Sequence, residues 1–385
     1  MPVFPQRIRA VAAPAIPTAR AWAASYRGQA GPVIDVTQAV PGYPAHPDLL
    51  NRISVAARTT VYGDITGDIE LRAALAADLR ACYGTAIETA DVAITAGCNL
   101  AFTMAMTALA GTGDAVMLPA PWYFNHHMAL TMLGIEPVAL PCRPEQGFVP
   151  DPAEAAKLIT PTTRAIVLVT PNNPTGAIYP PETIAAFAEL CRARGLFLVL
   201  DETYRDFLPN GRPHEVFALP DWRDFAVQLY SFSKSYCIPG HRTGAIVAGP
   251  AVQEQLAKVL DTMQICPPRA AQAPLAWAIE ALRPWREANR ALMANRANSF
   301  RAVVAQLPGW RVDALGAYFA YLRLPASAPD AVAAAEHLAG QCGLMTLPGP
   351  FFGPGQERHL RLAFANVDET AIAQIPTRLL GANWP

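Results

Sequence analysis

The sequence predicts an α/β fold: a large domain built on a mostly parallel sheet flanked by helices, and a smaller α+β domain assembled from the N- and C-terminal segments. Three observations carry that prediction. From about residue 90, short β-branched runs alternate with longer amphipathic ones. Several of the short runs, "AIVLVT" and "LFLVLDE" among them, are apolar on both faces. Beyond Pro284 the alternation gives way to an Arg-rich helical stretch followed by "WRVDAL" and "AYFAYLRL". Strands that are apolar on both faces need a helical layer on each side, and strand–helix alternation joins parallel neighbours by crossovers. At 385 residues, 52% hydrophobic and 16% charged, the chain is long enough for a large core in two lobes.

Taken in order, "VAIT" is a strand followed by a helix from Asn99, and "AVMLP" a strand followed by a helix after Pro121. "PVALP" leads to the helix "DPAEAAKLI", and "AIVLVT" to a helix across "PETIAAFAELCRARG". The strands "LFLVLDE", "AVQLYSF" and "GAIVAG" complete the large domain, assigned to residues 50–285. The small domain takes residues 1–49 and 286–385, with a helix at "DAVAAAEHLAG", a strand at "HLRLAFAN", and a Pro-rich N-terminal arm ending in "VPGYPAHPDLL".

A net charge of −1 and no basic run interleaved with aromatics give no drive toward nucleic acid or an anionic membrane, so a small-molecule partner is expected. Seven cysteines, odd in number and never in a Cys-x-x-Cys pair, suggest reduced thiols and a cytoplasmic location. The weakly apolar "AVAAPAIP" is broken by Pro14 and Pro17 and reads as an arm, not a leader. Apolar runs such as "MALTMLGI" are too short to span a bilayer.

Only three of the thirty basic residues are lysines: Lys157, Lys234 and Lys258. Arg keeps its proton, whereas a desolvated Lys can lose one and attack a carbonyl. Lys157 and Lys258 lie in helical patterns with polar neighbours and read as solvated charges. Lys234 follows the strand "AVQLYSFS", at a strand end, where ligands of parallel α/β sheets sit. The other strand ends carry Ala96-Gly97-Cys98-Asn99, "APWYFNHH", "PNNPTG" and, after the apolar "FLVLD", "ETY".

Each of these has a bland reading and a chemical one. Gly97 at a strand-to-helix turn serves geometry alone, or lets backbone N–H groups approach a phosphate. Asp201 is an N-cap or surface carboxylate, or a buried one that faces a protonated ring nitrogen, with Tyr204 nearby. "PNNPTG" is ordinary turn composition, or holds Asn173 rigidly toward a phenolic oxygen. Together, a Schiff-base lysine, a carboxylate for a pyridinium, a phosphate cradle and an aromatic for stacking are the requirements of pyridoxal 5'-phosphate.

The stretches "PNNPTG", "DETY", "SFSKSYCIPGHRTG" and "HLRLAFA", in this order and at these intervals, closely resemble the class I/II aminotransferases, the aspartate aminotransferase-like group of fold-type I pyridoxal-phosphate enzymes, from about Val33 to Ala365. The resemblance implies that Lys234 forms the internal aldimine and shuttles the α-proton, that Asp201 pairs with the pyridine nitrogen, and that Asn173 and Tyr204 bind the ring's phenolic oxygen. It implies Tyr123 stacked on the ring, with Trp122 one register away, and His126 behind Asp201. Gly97, Cys98 and Asn99, with Ser231, Ser233 and Arg242, would hold the phosphate. Tyr62 would reach the phosphate of a neighbouring subunit, which makes a homodimer expected. Arg361 would grip the substrate α-carboxylate, a bidentate task suited to guanidinium, with Gly42 in a mobile loop near the substrate.

The sequence departs from the family pattern at Leu100 and Cys98, neither of which removes a catalytic group. No arginine is clearly placed for a second carboxylate; a loose alignment through Pro267-Pro268 puts Asp261 there. The expected function is an amino acid:2-oxo acid aminotransferase cycling through pyridoxamine phosphate, with a neutral, aromatic or basic donor more than an acidic one. The same carbanion chemistry allows a lyase, cyclase or oxidase as the alternative. A non-catalytic sensor would need an attached DNA-binding domain, for which the reading finds no room before Val33 and no basic helix-turn-helix pattern.

Overall fold

Apolar side chains on both faces of the central strands require two helical layers, and the computed structural model has them; it describes residues 3–209, 212–382 and 384. A short strand β1 (Ile34–Asp35) precedes the large-domain strands β2 (Val92–Thr95), β3 (Ala115–Ala120), β4 (Glu136–Pro141), β5 (Thr163–Val169), β6 (Phe197–Asp201), β7 (Ala226–Ser231) and β8 (Gly244–Ala248). These last seven form one sheet in the order β2-β8-β7-β6-β5-β3-β4. All neighbours are parallel except β8, which is antiparallel to both β2 and β7.

Alternation along the strands sorts side chains between the two layers. Ala165 and Val167 of β5, with Val199 of β6, face the helices Cys98–Leu109 and Pro250–Gln264. Ile166, Leu168, Leu198 and Leu200 face the helices Ile69–Tyr83, Pro181–Arg194 and Gln272–Ala281. Continued by two residues, the same parity puts Asp201 on the Val199 side and Glu202 on the other.

Helix Arg283–Val304 leads into the second sheet. It contains β9 (Arg311–Gly316), β10 (Phe319–Arg323), β12 (Leu347–Pro348) and β13 (His359–Leu362), antiparallel in the order β12-β13-β10-β9. Between them β11 (Leu344–Met345) pairs parallel with β1, which ties the N-terminal arm to this part of the chain. Leu360 and Leu362 enter the local core with Phe300 and Leu322, so Arg361 projects from the opposite face of β13. No helix among the described residues is long and apolar enough to cross a membrane.

Candidate active site

The carboxyl ends of β2, β6 and β7 meet β13 and the segment Thr37–Val40 around a cavity of about 230 Å³. Of the residues expected at the site, Lys234, Asp201, Tyr204, Cys98, Asn99, Tyr123, Asn173, Ser231, Ser233, Arg242 and Arg361 line it, and so does His126. Gly97 immediately precedes the lining residue Cys98, and a Cβ on it would run into Arg242, which also lines the cavity.

Asp201 is held from three sides. His126 Nε2 lies 3.1 Å from its Oδ2, Thr203 N–H donates to its Oδ1 at 3.0 Å, and Cys98 Sγ approaches the same oxygen at 4.0 Å. Burial alone raises the carboxyl's pKa, but hydrogen bonding and charge from His126, together with Thr203, outweigh it and hold the pKa below the usual value. His126 is itself clamped by a face-to-face stack on Phe102, with ring centroids 3.8 Å apart. Asp201 therefore stays ionised in a pocket that would otherwise neutralise it.

Behind it, on the far face of β6, Glu202 accepts from Tyr83 Oη and Gln228 Nε2. His214 Nδ1 accepts from Val216 N–H at 3.2 Å, and its Nε2 lies 3.3 Å from Glu202 Oε1. A fully buried, bonded carboxylate at this position anchors the strand end that presents Asp201. Sequence reasoning passed over Glu202; its signal was a second carboxylate ending an apolar strand.

Lys234 is in the short helix Phe232–Ser235, which Ser231 caps by accepting from Ser233 N–H. Its Nζ donates to the Ala39 carbonyl and lies 5.9 Å from the Tyr204 ring centroid. Burial first, then the nearby Arg242 and Arg361 charges, lower its pKa to about 8. A lysine in this state is readily deprotonated at neutral to mildly alkaline pH. Lys157 and Lys258 are surface lysines bonded to Glu154 and Gln255, as the sequence suggested.

Arg361 is fully buried. Its Nη1 donates to Asn173 Oδ1 at 3.1 Å and its Nη2 to the Thr37 carbonyl. Its Nε has no partner, and burial lowers its pKa to about 10. Since Asn173 spends its carbonyl on Arg361, its amide N–H groups are the ones free to donate elsewhere.

Gly97 adopts φ +94°, and a Cβ there would lie 2.1 Å from Arg242 Nη2. Arg242 is itself left-handed, at φ +49°. Glycine thus lets a guanidinium lie across the turn that opens helix Cys98–Leu109. Leu100 and Ala101 N–H already donate to the Gly97 carbonyl, which leaves those of Cys98 and Asn99 for an anion. Gly97→Ala is expected to weaken cofactor binding about tenfold or more, checked by fluorescence titration of the cofactor-free protein.

Tyr123 reaches the cavity, whereas Trp122 turns away and stacks on His127 with centroids 4.9 Å apart. One residue expected near the substrate lies outside the cavity. Gly42 does not line the cavity; it donates to the Ala365 carbonyl at 2.8 Å, and a Cβ there would clash with that oxygen and with Arg296. The cavity wall on this side is instead Thr37–Val40, just upstream. Tyr62 is 77% exposed and outside the cavity of its own chain. Asp261 is exposed on helix Pro250–Gln264, away from the cavity. Thr37–Val40 and Ile16 were not singled out from the sequence, since nothing local marks an arm residue as touching a strand end; Phe124, in the strand-end stretch "APWYFNHH", was passed over beside Tyr123.

Residues 25–379 match the model of the family described as aminotransferase class I and II. The chain belongs to the class I and II aminotransferase family. It is a pyridoxal-phosphate-dependent aminotransferase. It is 33% identical to the arginine–pyruvate transaminase of Pseudomonas aeruginosa over 80% of this chain and 79% of that one. It is 32% identical to the valine–pyruvate aminotransferase of Mycobacterium tuberculosis, over 79% of each. The structure of the Thermus thermophilus aspartate aminotransferase with maleate superposes with a TM-score of 0.89 at 28% identity, covering 98% of this chain and 99% of that one. This aminotransferase's own cavity suits the cofactor: a lowered-pKa lysine, an ionised buried carboxylate and a glycine turn that any Cβ would fill stand around one space.

Proposed function

We propose that the protein is an amino acid:2-oxo acid aminotransferase in which the cavity residues act in the roles that their positions suit. One observation carries this reading: Lys234, the Asp201–His126 pair and the Arg361–Asn173 pair, from five separate segments of the chain, line a single cavity. Pyridoxal phosphate, when bound, supplies the aldehyde that captures an amino group and the ring that accepts electrons from the α-carbon.

Lys234 Nζ would hold the cofactor covalently and afterwards take the proton from the donor's α-carbon. Asp201 would hold a proton on the ring nitrogen, kept ionised by His126. Asn173 and Tyr204 would donate to the phenolic oxygen, and Tyr123 would cover one ring face. The phosphate would lie against Cys98 and Asn99 N–H, Ser231, Ser233 and Arg242, on the turn that Gly97 permits. Arg361 would orient the donor through its α-carboxylate, its fork already fixed by Asn173 and Thr37.

Two further parts of the proposal concern surroundings. The loop with Tyr62, 77% exposed, presents Val61 at 67% and Ile69 at 56%, an apolar surface suited to a second copy of the chain. A homodimer would bring Tyr62 to its neighbour's phosphate. The seven free cysteines fit a reducing cytoplasm.

The test is product analysis with the holoenzyme. Equal amounts of a new amino acid and a new 2-oxo acid, with no free ammonia or peroxide, are expected; stoichiometric ammonia or peroxide would replace transamination by the lyase or oxidase alternative. The relatives' names, all transaminases, favour the former. A pH dependence also follows. Because the Lys234 pKa falls to about 8, covalent capture of added cofactor by the cofactor-free protein should speed up as pH rises and level off above about 8. A midpoint near the ordinary lysine value would contradict it.

A further inference from the structure

We propose that Ile16, Val40 and Phe124 form the wall that receives the donor's side chain, and that the preferred donor is an amino acid with an uncharged apolar or aromatic side chain. The inference rests on the aminotransferase reading and narrows it. The names of the relatives do not decide the matter, since they span arginine, valine, aspartate and aromatic amino acids.

The three side chains converge beside the groups that would fix the donor. The Arg361 guanidinium lies 5.1 Å from the Phe352 ring centroid, and Phe124 packs on Phe352 with centroids 5.6 Å apart. Ile16 joins the same apolar cluster from helix Ala15–Ala23, whose Ala15 and Ala19 are buried against it. Val40 follows Ala39, whose carbonyl accepts from Lys234. A donor anchored by its carboxylate on Arg361 and by its amino group near Lys234 therefore presents its side chain to these residues, all of which line the cavity.

The charges around the cavity already have partners or assigned tasks. Asp201 pairs with His126, Arg361 with Asn173 and Thr37, and Arg242 lies over Gly97 at the phosphate turn. With Lys234 these are the charged or titrating basic and acidic side chains lining the cavity among the described residues. An aspartate or arginine donor would lay its second charge against Ile16, Val40 and Phe124 without a counter-ion from this chain, and Tyr62, the residue that the proposed homodimer brings to its neighbour, carries no charge to offset it; a desolvated unpaired charge is costly. An apolar side chain gains burial there, and an aromatic one gains a ring neighbour in Phe124.

The experiment mixes holoenzyme with phenylalanine, leucine, aspartate or arginine, without any 2-oxo acid, and follows conversion of the bound pyridoxal form to the pyridoxamine form. Phenylalanine and leucine are expected to react with a second-order rate constant at least about tenfold above those of aspartate and arginine. Aspartate or arginine reacting as fast as phenylalanine would overturn the inference while leaving the aminotransferase reading intact. If none of the four converts, although borohydride still fixes the cofactor to Lys234, the aminotransferase reading fails and this inference with it. Ile16→Ala and Phe124→Ala separate wall contact from general damage: both should cost more with phenylalanine than with alanine as donor. An equal loss with the two donors would remove these residues from the side-chain site.

Discussion

Lys234→Ala is expected to lower turnover by about 10⁴-fold, since one amine serves both as covalent anchor and as the base at the α-carbon. The variant should lose the visible absorbance of lysine-bound cofactor and yield no labelled peptide after borohydride reduction. It should remain folded. Burial and the charges of Arg242 and Arg361 lower the Lys234 pKa from 10.5 to about 8, so protonation of this lysine opposes folding of the cofactor-free protein. The cost, about 3 kcal/mol, is fully present below pH 8 and disappears as pH rises toward 10.5. The thermal midpoint of cofactor-free Lys234→Ala at pH 7 should accordingly be no lower than that of the parent. Residual turnover within tenfold of the parent would remove Lys234 from its role.

Asp201→Asn is expected to cost about 10²–10³-fold in turnover, the size of effect seen when a preorganised charge partner is removed from a buried site. The substitution keeps the shape, and the amide oxygen can still accept from His126 or Thr203 N–H. What it removes is the negative charge opposite the ring nitrogen. The bound cofactor's absorbance should change its pH dependence, whereas the stoichiometry of its attachment to Lys234 should not. A variant with parental turnover would mean that the pocket needs no charge at this position.

Much of this was legible in the sequence, because the signals were local. Strands such as "AIVLVT" and "FLVLD" announce two-sided burial by composition, so the parallel sheet and its helical layers followed from periodicity. The scarcity of lysine and the placement of Lys234, Asp201, Gly97 and Asn173 just after strands pointed to one set of strand ends. Trp122 against Tyr123 was a register question that sequence alone left open; in the structure Trp122 packs on His127 and Tyr123 lines the cavity. Gly42 was expected near the substrate from the family resemblance, whereas it is the Thr37 and Ala39 backbone carbonyls, a few residues upstream, that meet Arg361 and Lys234.

By itself the sequence determined the layered α/β architecture and the kinds of side chain available at the strand ends. Only the tertiary structure decided which face each of them took and what it met there. Strand parity sends Asp201 to His126 and Glu202 to Tyr83 and His214, and a shift of one residue would exchange them. Arg361 reaches Asn173 and Thr37 only because β13 packs its leucines into a separate core and turns the arginine outward, toward segments far away in the chain. Such contacts depend on how distant elements bury their apolar faces against each other, and no local pattern encodes that outcome.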